Sequence, residues 1–458
     1  MLTEKVVDVS ALVESRRLGA GQWWLLALCL IVVTFDGFDA QIMGYTAPAL
    51  VKAWHVGRGV LGPVISSGLF GLMLGALVLG TLGDRIGRKT IILISAVVFG
   101  VGSLLTALAT NVEQMTVLRF ITGIGLGGAM PGSIALVSEY MPARLRGTMV
   151  TITVCGFAIG PAIGGFIAAA LTQNHGWGSL FVIGGVVPLL MLPLLWWKLP
   201  ESSRFLIGRG DSSERIARNL RKVFHDEDLP ADATYTHVDG KLSKAPVREI
   251  FAEGRAPGTV LLWLAIFLNL VGINLQTSWL PLMITGLGYP IAQAVTATAM
   301  LHVGGAIGGL LLSRLLDRFD PLRSAAVIGV LAGVAIILVG FSGGSLGMLK
   351  ITIFLAGLFV VGGQSVLNAL SGMFYPSHIR STGSGWALGM GRFGAAVGPM
   401  VGSALAALNL SMNSLYYVEA IPFFLMGAAI FAIGFTRNQK TYASNRAAAL
   451  MQSPLAHK

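Results

Sequence analysis

Charged residues are scarce in this sequence, and their scarcity decides the class of protein. Asp, Glu, Lys and Arg make up 12% of the 458 residues, while apolar residues make up 54%. Soluble proteins are about 25% charged. Because so few charges cannot cover the surface of a water-soluble chain of this length, an ordinary soluble protein is excluded. We expect an all-α integral membrane protein.

Cysteine and histidine are also rare, with two Cys and seven His in the chain. Cys29 and Cys155 both fall inside apolar stretches, so neither a disulfide nor a metal site is expected. The sequence contains no phosphate-binding P-loop, no metal-spaced His or Cys cluster and no nucleophile elbow. We therefore predict no enzyme activity, no metal and no organic cofactor.

The apolar residues that are present form twelve long stretches, numbered here as spans 1 to 12. A bilayer core about 30 Å thick requires about 20 apolar residues per helix, and the stretches meet that length. The predicted spans are 23–46, 59–82, 90–110, 113–138, 147–171, 178–198, 259–283, 292–316, 322–341, 348–372, 381–408 and 414–436.

The basic residues follow the topology of these spans. The formal net charge is +11, yet we place only three of the 32 Lys and Arg residues, Lys52, Arg58 and Lys350, in the odd-numbered loops. Lys and Arg concentrate on the cytoplasmic side of membrane proteins. Both termini and the long central loop are therefore predicted to be cytoplasmic, in a bacterial inner membrane. Because the basic residues form no single patch, nucleic acid is not an expected partner.

The central loop, 199–258, carries ten basic and ten acidic residues. Its pattern predicts an amphipathic helix over Glu214–Phe224, followed by a flexible stretch rich in Asp, Thr and Pro. We expect a solvated linker with a structural role.

The chain is predicted to divide into four parts. These are an N-terminal six-helix half (1–198), the central loop (199–258), a C-terminal six-helix half (259–436) and a cytoplasmic tail (437–458).

The two halves repeat one another in sequence, which is a second organising observation. Three short segments align at nearly equal offsets. The aligned pairs are Asp84 with Asp317 (317 − 84 = 233), Arg146 with Arg380 (380 − 146 = 234) and Pro161 with Pro399 (399 − 161 = 238). Offsets this similar indicate two six-helix halves of the same orientation.

Parallel halves of this kind are typical of the major facilitator superfamily, which this chain resembles. The loop after span 2, GTLGDRIGRK at 80–89, matches the superfamily signature G-x-x-x-D-R-x-G-R-K at every fixed position. The resemblance implies a substrate site near the membrane midplane between the halves and transport by rocking of one half against the other. Because the chain has no P-loop, we expect an ion gradient rather than ATP to drive transport, with the proton favoured and sodium as the alternative. One chain contains a complete transport path, so we expect a functional monomer, although the sequence leaves the oligomeric state open.

The charged residues at the cytoplasmic ends of the spans are predicted to form a gate. Asp84 is expected to accept hydrogen bonds from the N-terminus of span 11, where the helix dipole favours an anion. The alternative is a cluster of charges that only sets the topology of a cytoplasmic turn. The residues assigned to the gate are Asp84, Arg85, Arg88, Glu139, Arg146, Asp317, Arg318 and Arg380.

Span 1 contains two carboxylates, Asp36 and Asp39, inside an apolar run. Each costs about 2.5–3.5 kcal/mol to insert, so intramembrane acids indicate function. At spacing i, i+3 they share one helix face and repel when both are ionised, which favours proton uptake. The alternative is that they only tie helices together.

Arg119 in span 4 matches a motif that the superfamily associates with proton coupling. The alternative is that its side chain extends to the periplasmic interface.

DGFDAQIMGYTAPAL at 36–50 resembles the first helix of the aromatic acid:proton symporters. Further matches are LPESSRFL at 199–206, TSWLP at 277–281 and the glycine-flanked Arg392-Phe393 of span 11, and the similarity extends over all twelve spans. The resemblance implies import of an aromatic carboxylate, such as 4-hydroxybenzoate, protocatechuate, benzoate or gentisate, with protons as the coupling ion.

An aromatic acid needs a cation for its carboxylate and a slot for its ring. Arg392 is the first choice for the carboxylate because a guanidinium pairs with it bidentately; the alternative is a structural ion pair. Most aromatic residues in membrane helices pack or anchor, which is the alternative for each ring candidate. The candidates for the ring and its hydroxyls are Phe38, Tyr45, Asn274, Trp279, Gln364, Asn368 and Trp386, with Phe35, Gln276 and Phe393 as further possibilities.

Two isolated titratable residues lie in later spans. His302 in span 8 is either a proton relay or a hydrogen-bonded structural histidine. Glu419 in span 12 is expected near the periplasmic surface, without a role.

Span 5 keeps a proton-coupled exporter open as an alternative. GFAIGPAIGG at 156–165 fits the antiporter signature of drug:proton exporters, although glycines at such spacing concern helix packing. A sugar porter is a second alternative, because LPESSRFL also resembles that group. A nutrient sensor would be expected to carry a long signalling extension. We favour import of an anion because of the paired acids of span 1, LPESSRFL and Arg392.

Overall fold

The computed structural model describes residues 6–224, 229–230, 232–237, 247–376, 378–408 and 412–435. Helices account for nearly all of it. Their bounds are α1 Val9–Ser15, α2 Ala20–Trp54, α3 Leu61–Ile86, α4 Arg88–Ala107, α5 Val112–Tyr140, α6 Ala143–His175, α7 Gly178–Lys198, α8 Ser203–Arg209, α9 Ser213–Phe224, α10 Ala256–Gly286, α11 Ile291–Arg318, α12 Pro321–Phe341, α13 Leu346–Phe374, α14 Arg380–Ala407 and α15 Met412–Ile433; the strands are β1 Val6–Asp8 and β2 Thr234–Thr236.

The twelve predicted spans correspond to α2–α7 and α10–α15. Within the described ranges, eleven of these helices are long and apolar enough to cross a membrane, and the remaining one is α14. Frequent glycines and two arginines, Arg380 and Arg392, lower the mean hydropathy of α14. The expected fold of twelve membrane helices is confirmed.

Contacts divide the chain into two compact units. Unit 1 consists of 1–43, 67–167 and 171–241, and unit 2 of 44–66, 168–170 and 242–458. The second part of α2 therefore packs with unit 2, although it follows directly on the part that carries the two acids of span 1. The predicted cytoplasmic tail, 437–458, lies outside the described residues.

Glycines bring α3 and α5 of unit 1 into backbone contact. A Cβ on Gly71 would lie 2.1 Å from the carbonyl oxygen of Phe120, and a Cβ on Gly75 would lie 2.1 Å from that of Ile124. No side chain fits at these distances, so the glycines let the two helices approach closely.

In unit 2, α11 packs on α13 in the same way. A Cβ on Gly304 would lie 2.1 Å from the carbonyl oxygen of Phe354, and one on Gly308 would lie 2.2 Å from that of Leu358. The residues of α11 lie 233 positions after their counterparts in α3 (308 − 75 = 233), and those of α13 lie 234 positions after their counterparts in α5 (358 − 124 = 234). The sequence repeat is therefore also a repeat of helix contacts.

The pair α2 and α6 in unit 1 has its own glycine contact. A Cβ on Gly156 would lie 2.7 Å from the carbonyl oxygen of Leu30, and one on Gly160 would lie 2.0 Å from that of Thr34. These glycines belong to the exporter-like motif of span 5. Their observed role is close packing of α6 against α2.

The counterpart in unit 2 is the pair α10 and α14. A Cβ on Gly394 would lie 2.4 Å from the carbonyl oxygen of Phe267, and one on Gly398 would lie 2.6 Å from that of Val271. The contact residue of α10 lies 237 positions after its counterpart in α2 (271 − 34 = 237), and that of α14 lies 238 positions after its counterpart in α6 (398 − 160 = 238). The same contact thus occurs in both units.

Much of the central loop packs onto unit 1, so the expectation of a solvated linker is wrong for this part. The predicted amphipathic helix is confirmed as α9, which buries Ile216, Leu220 and Val223. The apolar residues recur every three to four positions and predicted the helix, but the balanced charges of the whole loop gave no indication that this face packs on unit 1. Two further elements, α8 and the strand β2, were not predicted; β2 pairs in parallel with β1, with Val6 opposite Thr234.

Candidate functional site

An ion pair between α2 and α5 lies inside unit 1. Arg119 Nη1 donates to Asp39 Oδ2 at 3.0 Å, and Arg119 Nη2 donates to Asp39 Oδ1 at 3.4 Å. The side chains are 4% and 2% exposed. Two parallel hydrogen bonds fix the orientation of the carboxylate as well as its charge. The alternative that Arg119 snorkels to the membrane surface is wrong, because its guanidinium is directed to Asp39.

Two other residues complete the surroundings of this pair. Ser103 Oγ in α4 lies 3.3 Å from Asp39 Oδ1 and 3.0 Å from the carbonyl oxygen of Phe181. The centroid of the Phe181 ring in α7 lies 5.1 Å from the Arg119 guanidinium carbon, which is a cation–π contact. Four helices therefore hold one buried charge pair. Sequence patterns did not identify Ser103, because a serine in an apolar span is common.

Asp36 lies one turn before Asp39 on α2 and is 2% exposed. The glycine between them permits a close helix contact, since a Cβ on Gly37 would lie 2.3 Å from the carbonyl oxygen of Phe157 in α6. The D-G-x-D pattern thus combines two buried acids with a glycine that brings α2 against α6. Both acids lie near the middle of the 35-residue helix.

Two of the aromatic candidates on α2, Phe38 and Tyr45, are buried. Phe38 is 4% exposed and packs edge to face on Phe35, with ring centroids 6.3 Å apart. Tyr45 is 1% exposed and belongs to the part of α2 that groups with unit 2.

In unit 2, three amides form a continuous hydrogen-bonded chain. Asn269 Nδ2 in α10 donates to Gln364 Oε1 at 2.7 Å, and Gln364 Nε2 donates to Asn368 Oδ1 at 2.7 Å. Asn269 is fully buried and Asn368 is exposed. The predicted pair on α13 is therefore oriented by a third amide, Asn269, which sequence patterns did not assign. An amide inside the apolar run of α10 was the available signal.

Two α10 candidates, Trp279 and Asn274, use their hydrogen-bonding groups within the helices. Trp279 Nε1 donates to the Pro399 carbonyl oxygen of α14 at 3.1 Å, and the side chain is 3% exposed. Asn274 Nδ2 donates to the carbonyl oxygen of Leu270 at 3.0 Å. Trp279 thus contacts α14 beside Gly402, where a Cβ would lie 2.2 Å from its indole nitrogen.

The candidates on α14 form a partly exposed row. Trp386 stacks on Trp263 of α10 with centroids 6.0 Å apart and ring planes 13° apart, and it is 47% exposed. Phe393 packs on Phe267 with centroids 6.0 Å apart. Arg392 is half-buried and lies near the middle of α14, as predicted from the sequence.

The signature loop of unit 1 contains a tight turn between α3 and α4. Gly87 has φ +102°, a conformation that favours glycine. Asp84 before this glycine forms an ion pair with Arg88 directly after it, and the side chain of Asp84 is 66% exposed. Arg85 is exposed as well. Within unit 1 the observed partner of Asp84 is thus Arg88.

Glu201 of LPESSRFL caps the start of α4 at this turn. Its Oε1 accepts hydrogen bonds from the backbone N–H of Lys89 at 3.0 Å and of Ser202 at 2.8 Å. A Cβ on Gly87 would lie 2.3 Å from Glu201 Oε2. An acid at a helix N-terminus satisfies free N–H groups and complements the dipole. The motifs GTLGDRIGRK and LPESSRFL are therefore in direct contact, and the sequence did not predict this contact.

Glu139 and Tyr140, at the end of α5, join the same network. Glu139 accepts from Ser202 Oγ at 2.8 and 2.7 Å. Asn219 of α9 donates to the Tyr140 hydroxyl at 2.9 Å and accepts from the Glu201 N–H at 2.8 Å. Glu139, which the sequence predicts to be a gate residue, is thus bonded to the start of the central loop.

Arg146 and Arg380 make equivalent contacts in the two units. Arg146 Nε donates to the carbonyl oxygen of Met141 at 3.4 Å, and Arg380 Nε donates to that of Tyr375 at 3.5 Å. Arg146 also lies 3.7 Å from Glu14 of α1. Arg318 is exposed at the end of α11, and the side chain of Asp317 lies outside the described part of the chain.

Glu419 and His302 are both buried in unit 2. Glu419 is 2% exposed, so its side chain is packed among helices of unit 2. His302 is 6% exposed, and its Nε2 contacts no hydrogen-bonding group of the described residues. Across the same residues, no three His, Cys, Asp or Glu side chains come together as a metal site requires.

The repeated helix pairs and the buried charges define a multi-pass membrane transporter built from two copies of a six-helix repeat. A family model described as the Major Facilitator Superfamily matches residues 29–346 and 262–457. The chain belongs to the major facilitator superfamily, and it is a transporter rather than an enzyme.

Its relatives include several aromatic-acid transporters. The chain is 40% identical to a gallate transporter of Pseudomonas putida, over 95% of this chain and 97% of that one. It is 38% identical to the 4-hydroxybenzoate transporter PcaK of Pseudomonas aeruginosa, over 93% and 96%. With the benzoate transport protein of Acinetobacter baylyi the identity is 32%, over 94% and 93%. The resemblance to the aromatic-acid carriers is confirmed.

Solved structures establish the fold independently. The inward-open xylose transporter XylE of Escherichia coli aligns with a TM-score of 0.70 at 20% identity, covering 93% of this chain and 99% of that one. A bacterial homologue of the human lysosomal transporter Spinster aligns with a TM-score of 0.64 at 17% identity, covering 95% and 99%. At 20% and 17% identity, these alignments show a shared fold and nothing further about function.

Proposed function

We propose that this transporter imports an aromatic carboxylate of the hydroxybenzoate or benzoate class together with one or more protons. It works by alternating access in a bacterial inner membrane, as a monomer with both termini in the cytoplasm. The proton is the coupling ion, and no cofactor is required.

The buried pair of Asp39 and Arg119 carries this proposal. When Asp39 is ionised, its charge is balanced by Arg119 within hydrogen-bonding distance. When Asp39 takes up a proton, Arg119 becomes an uncompensated buried cation, which is costly in a low-dielectric interior. Proton binding therefore changes the stability of this four-helix contact. Asp36, buried one turn away on α2, is the second acid that we assign to proton coupling.

Two features of unit 2 support a hydroxylated aromatic acid as substrate. Arg392 supplies a guanidinium near the middle of α14, which suits a carboxylate. Asn368 is the exposed end of an amide chain fixed by buried Asn269, which suits a ring hydroxyl. The gallate, 4-hydroxybenzoate and benzoate transporters among the relatives support the same class.

The glycine motif of span 5 does not favour export. Gly160 packs on the Thr34 carbonyl oxygen, and Gly398 makes the matching contact with Val271 in the other repeat. A feature present in both repeats and explained by close packing carries no information on the direction of transport.

The decisive experiment is uptake into proteoliposomes that contain the purified full chain. Labelled benzoate, 4-hydroxybenzoate, protocatechuate, gentisate and gallate are each offered with and without an alkaline interior, and with a proton uncoupler as control. We expect accumulation of at least one acid that requires the pH gradient and is abolished by the uncoupler. Absence of accumulation, together with proton-driven movement of a cationic dye, would contradict import and support the exporter.

A further inference from the structure

Helix α15 carries a single acid, Glu419, which is buried and forms no ion pair within the part of the chain that the structure describes. Its side chain is 2% exposed, and neither carboxyl oxygen accepts a hydrogen bond from any residue in the described ranges. The nearest polar group on the same helix is the hydroxyl of Tyr416, which is also buried without a hydrogen-bond partner there. An acid in this setting is expensive unless something neutralises it.

The neighbours of α15 locate Glu419 in the interior of unit 2. Tyr416 packs on α12, since a Cβ on Gly340 would lie 3.0 Å from the Tyr416 Cβ. Phe423 packs on α10, since a Cβ on Gly272 would lie 2.3 Å from the end of its ring. Glu419 is three residues after Tyr416 and four before Phe423, so all three occupy one face of the helix. This face is directed at α10 and α12.

Neither neighbouring helix offers a cation to this face. The sequence of α10 contains no titratable residue, and α12 contains only Arg323, in its first turn and thus at the opposite end from Gly340. The titratable groups of α15 besides Glu419 are Tyr416 and Tyr417, and Tyr417 packs on Phe341. On α11, which packs on α10, the titratable residues are His302 and, in the last two turns, Arg314, Asp317 and Arg318. No Lys or Arg of these helices can therefore form an ion pair with Glu419.

Counting turns from the contact between Gly272 and Phe423 places Gln276 of α10 at about the level of Glu419. It lies one turn after Gly272, while Glu419 lies one turn before Phe423, and spans α10 and α15 run in opposite directions. Gln276 is 1% exposed, and its amide nitrogen and oxygen both remain without a partner across the described chain. A primary amide can accept a hydrogen bond from a carboxylic acid or donate one to a carboxylate.

The repeat supplies an independent observation about Gln276. The contacts of α10 follow those of α2 at an interval of 237, as in 271 − 34 = 237. The same interval takes Asp39 to Gln276. At the position where unit 1 has its ion-paired acid, unit 2 therefore has a neutral amide, with an acid supplied from α15 instead.

We propose that Glu419 forms a second proton-binding site, in unit 2, with Gln276 and Tyr416 as its polar surroundings. The carboxyl group carries a proton at neutral pH and remains a neutral acid. The site is distinct from Asp36 and Asp39 in residues and in repeat, and it does not depend on the proposed substrate.

Infrared difference spectroscopy tests the protonation state directly. The full chain is reconstituted in lipid without substrate, and the spectrum of Glu419→Gln is subtracted from that of the unmodified protein at a series of pH values. We expect a carbonyl band of a protonated carboxylic acid at neutral pH that disappears on alkalinisation. Glu419→Asp should retain such a band at a shifted frequency, and Glu113→Gln, which changes an exposed acid of α5, should remove no such band.

Each outcome decides for or against a protonated Glu419. A carboxylate band at neutral pH in place of the acid band would overturn the proposal. Loss of the acid band on addition of sodium at constant pH would also overturn it, in favour of a sodium site. An acid band in a protein whose uptake is insensitive to the uncoupler would support this site while contradicting the proposed function.

Discussion

Arg119 in α5 binds both carboxylate oxygens of Asp39 in α2, at 3.0 and 3.4 Å, in a region where both side chains are at least nine-tenths buried. Arg119 is thus a defined electrostatic partner of Asp39 in the D-G-x-D pattern. The pair links the first span of the repeat to the fourth, and protonation of one side chain alters that link.

Loss of one member of the Asp39–Arg119 pair should lower the free energy of unfolding more than loss of both members. Arg119→Gln leaves a buried carboxylate without its cation, so we expect the free energy of unfolding to fall by about 3–5 kcal/mol. Adding Asp39→Asn removes the remaining charge and should restore most of that loss. Thermal unfolding in detergent measures both, with exposed Arg85→Gln as control. Strictly additive losses would contradict a direct pair.

Asp36→Asn should abolish accumulation driven by the pH gradient while the protein still inserts and folds. The amide has almost the same shape as the acid but binds no proton. Uptake into proteoliposomes and thermal unfolding are measured side by side. The matched control is Glu113→Gln, which removes an exposed acid from α5. If Asp36→Asn accumulates substrate against its gradient, Asp36 is not a coupling residue.

Gly87→Ala should destabilise the turn between α3 and α4. Its φ of +102° is unfavourable for alanine, and the new Cβ would lie 2.3 Å from Glu201 Oε2. Backbone strain of this kind costs about 1–3 kcal/mol, and displacement of Glu201 also weakens the cap of α4. Gly80→Ala is the control from the same motif, since its Cβ meets nothing within 4 Å. Equal thermal stability of the two variants would refute this role of Gly87.

Asn368→Leu should weaken transport of 4-hydroxybenzoate more than transport of benzoate. The amide is the exposed end of the chain from Asn269 through Gln364, so its loss removes a candidate partner for the ring hydroxyl. One hydrogen bond contributes about 0.5–1.5 kcal/mol, which corresponds to about a 2- to 10-fold change in KM. Competition between the two acids provides an internal control. An equal effect on both would remove Asn368 from hydroxyl recognition.

Arg392→Lys should reduce the affinity for aromatic carboxylates about tenfold. A lysine retains the charge but lacks the planar fork that pairs bidentately with a carboxylate. Equilibrium binding of 4-hydroxybenzoate to the purified protein measures the change. Arg323→Lys, at an exposed position of α12, is the matched control. Unchanged affinity in Arg392→Lys would exclude Arg392 from the substrate site.

Local patterns predicted the elements well and the contacts between them poorly. The amphipathic spacing of 214–224 predicted α9, and the structure confirms it. Charge counting over the whole central loop concealed that Ile216 and Leu220 are buried. Glu201 was identified as part of a motif, but its cap on α4 joins residues more than 100 positions apart. Such pairing depends on how the helices pack, which no local window of sequence contains.

The sequence by itself determined the class of this protein. Apolar stretches of membrane length, the distribution of basic residues and the repeat at intervals of 233 to 238 suffice for twelve helices in two related halves, because the bilayer imposes length and polarity on every span. Only the tertiary structure decided which polar residues are partners. It paired Arg119 with Asp39 and left Glu419 buried away from any cation of its neighbouring helices, because burial and partnership depend on the face that each helix directs to its neighbours.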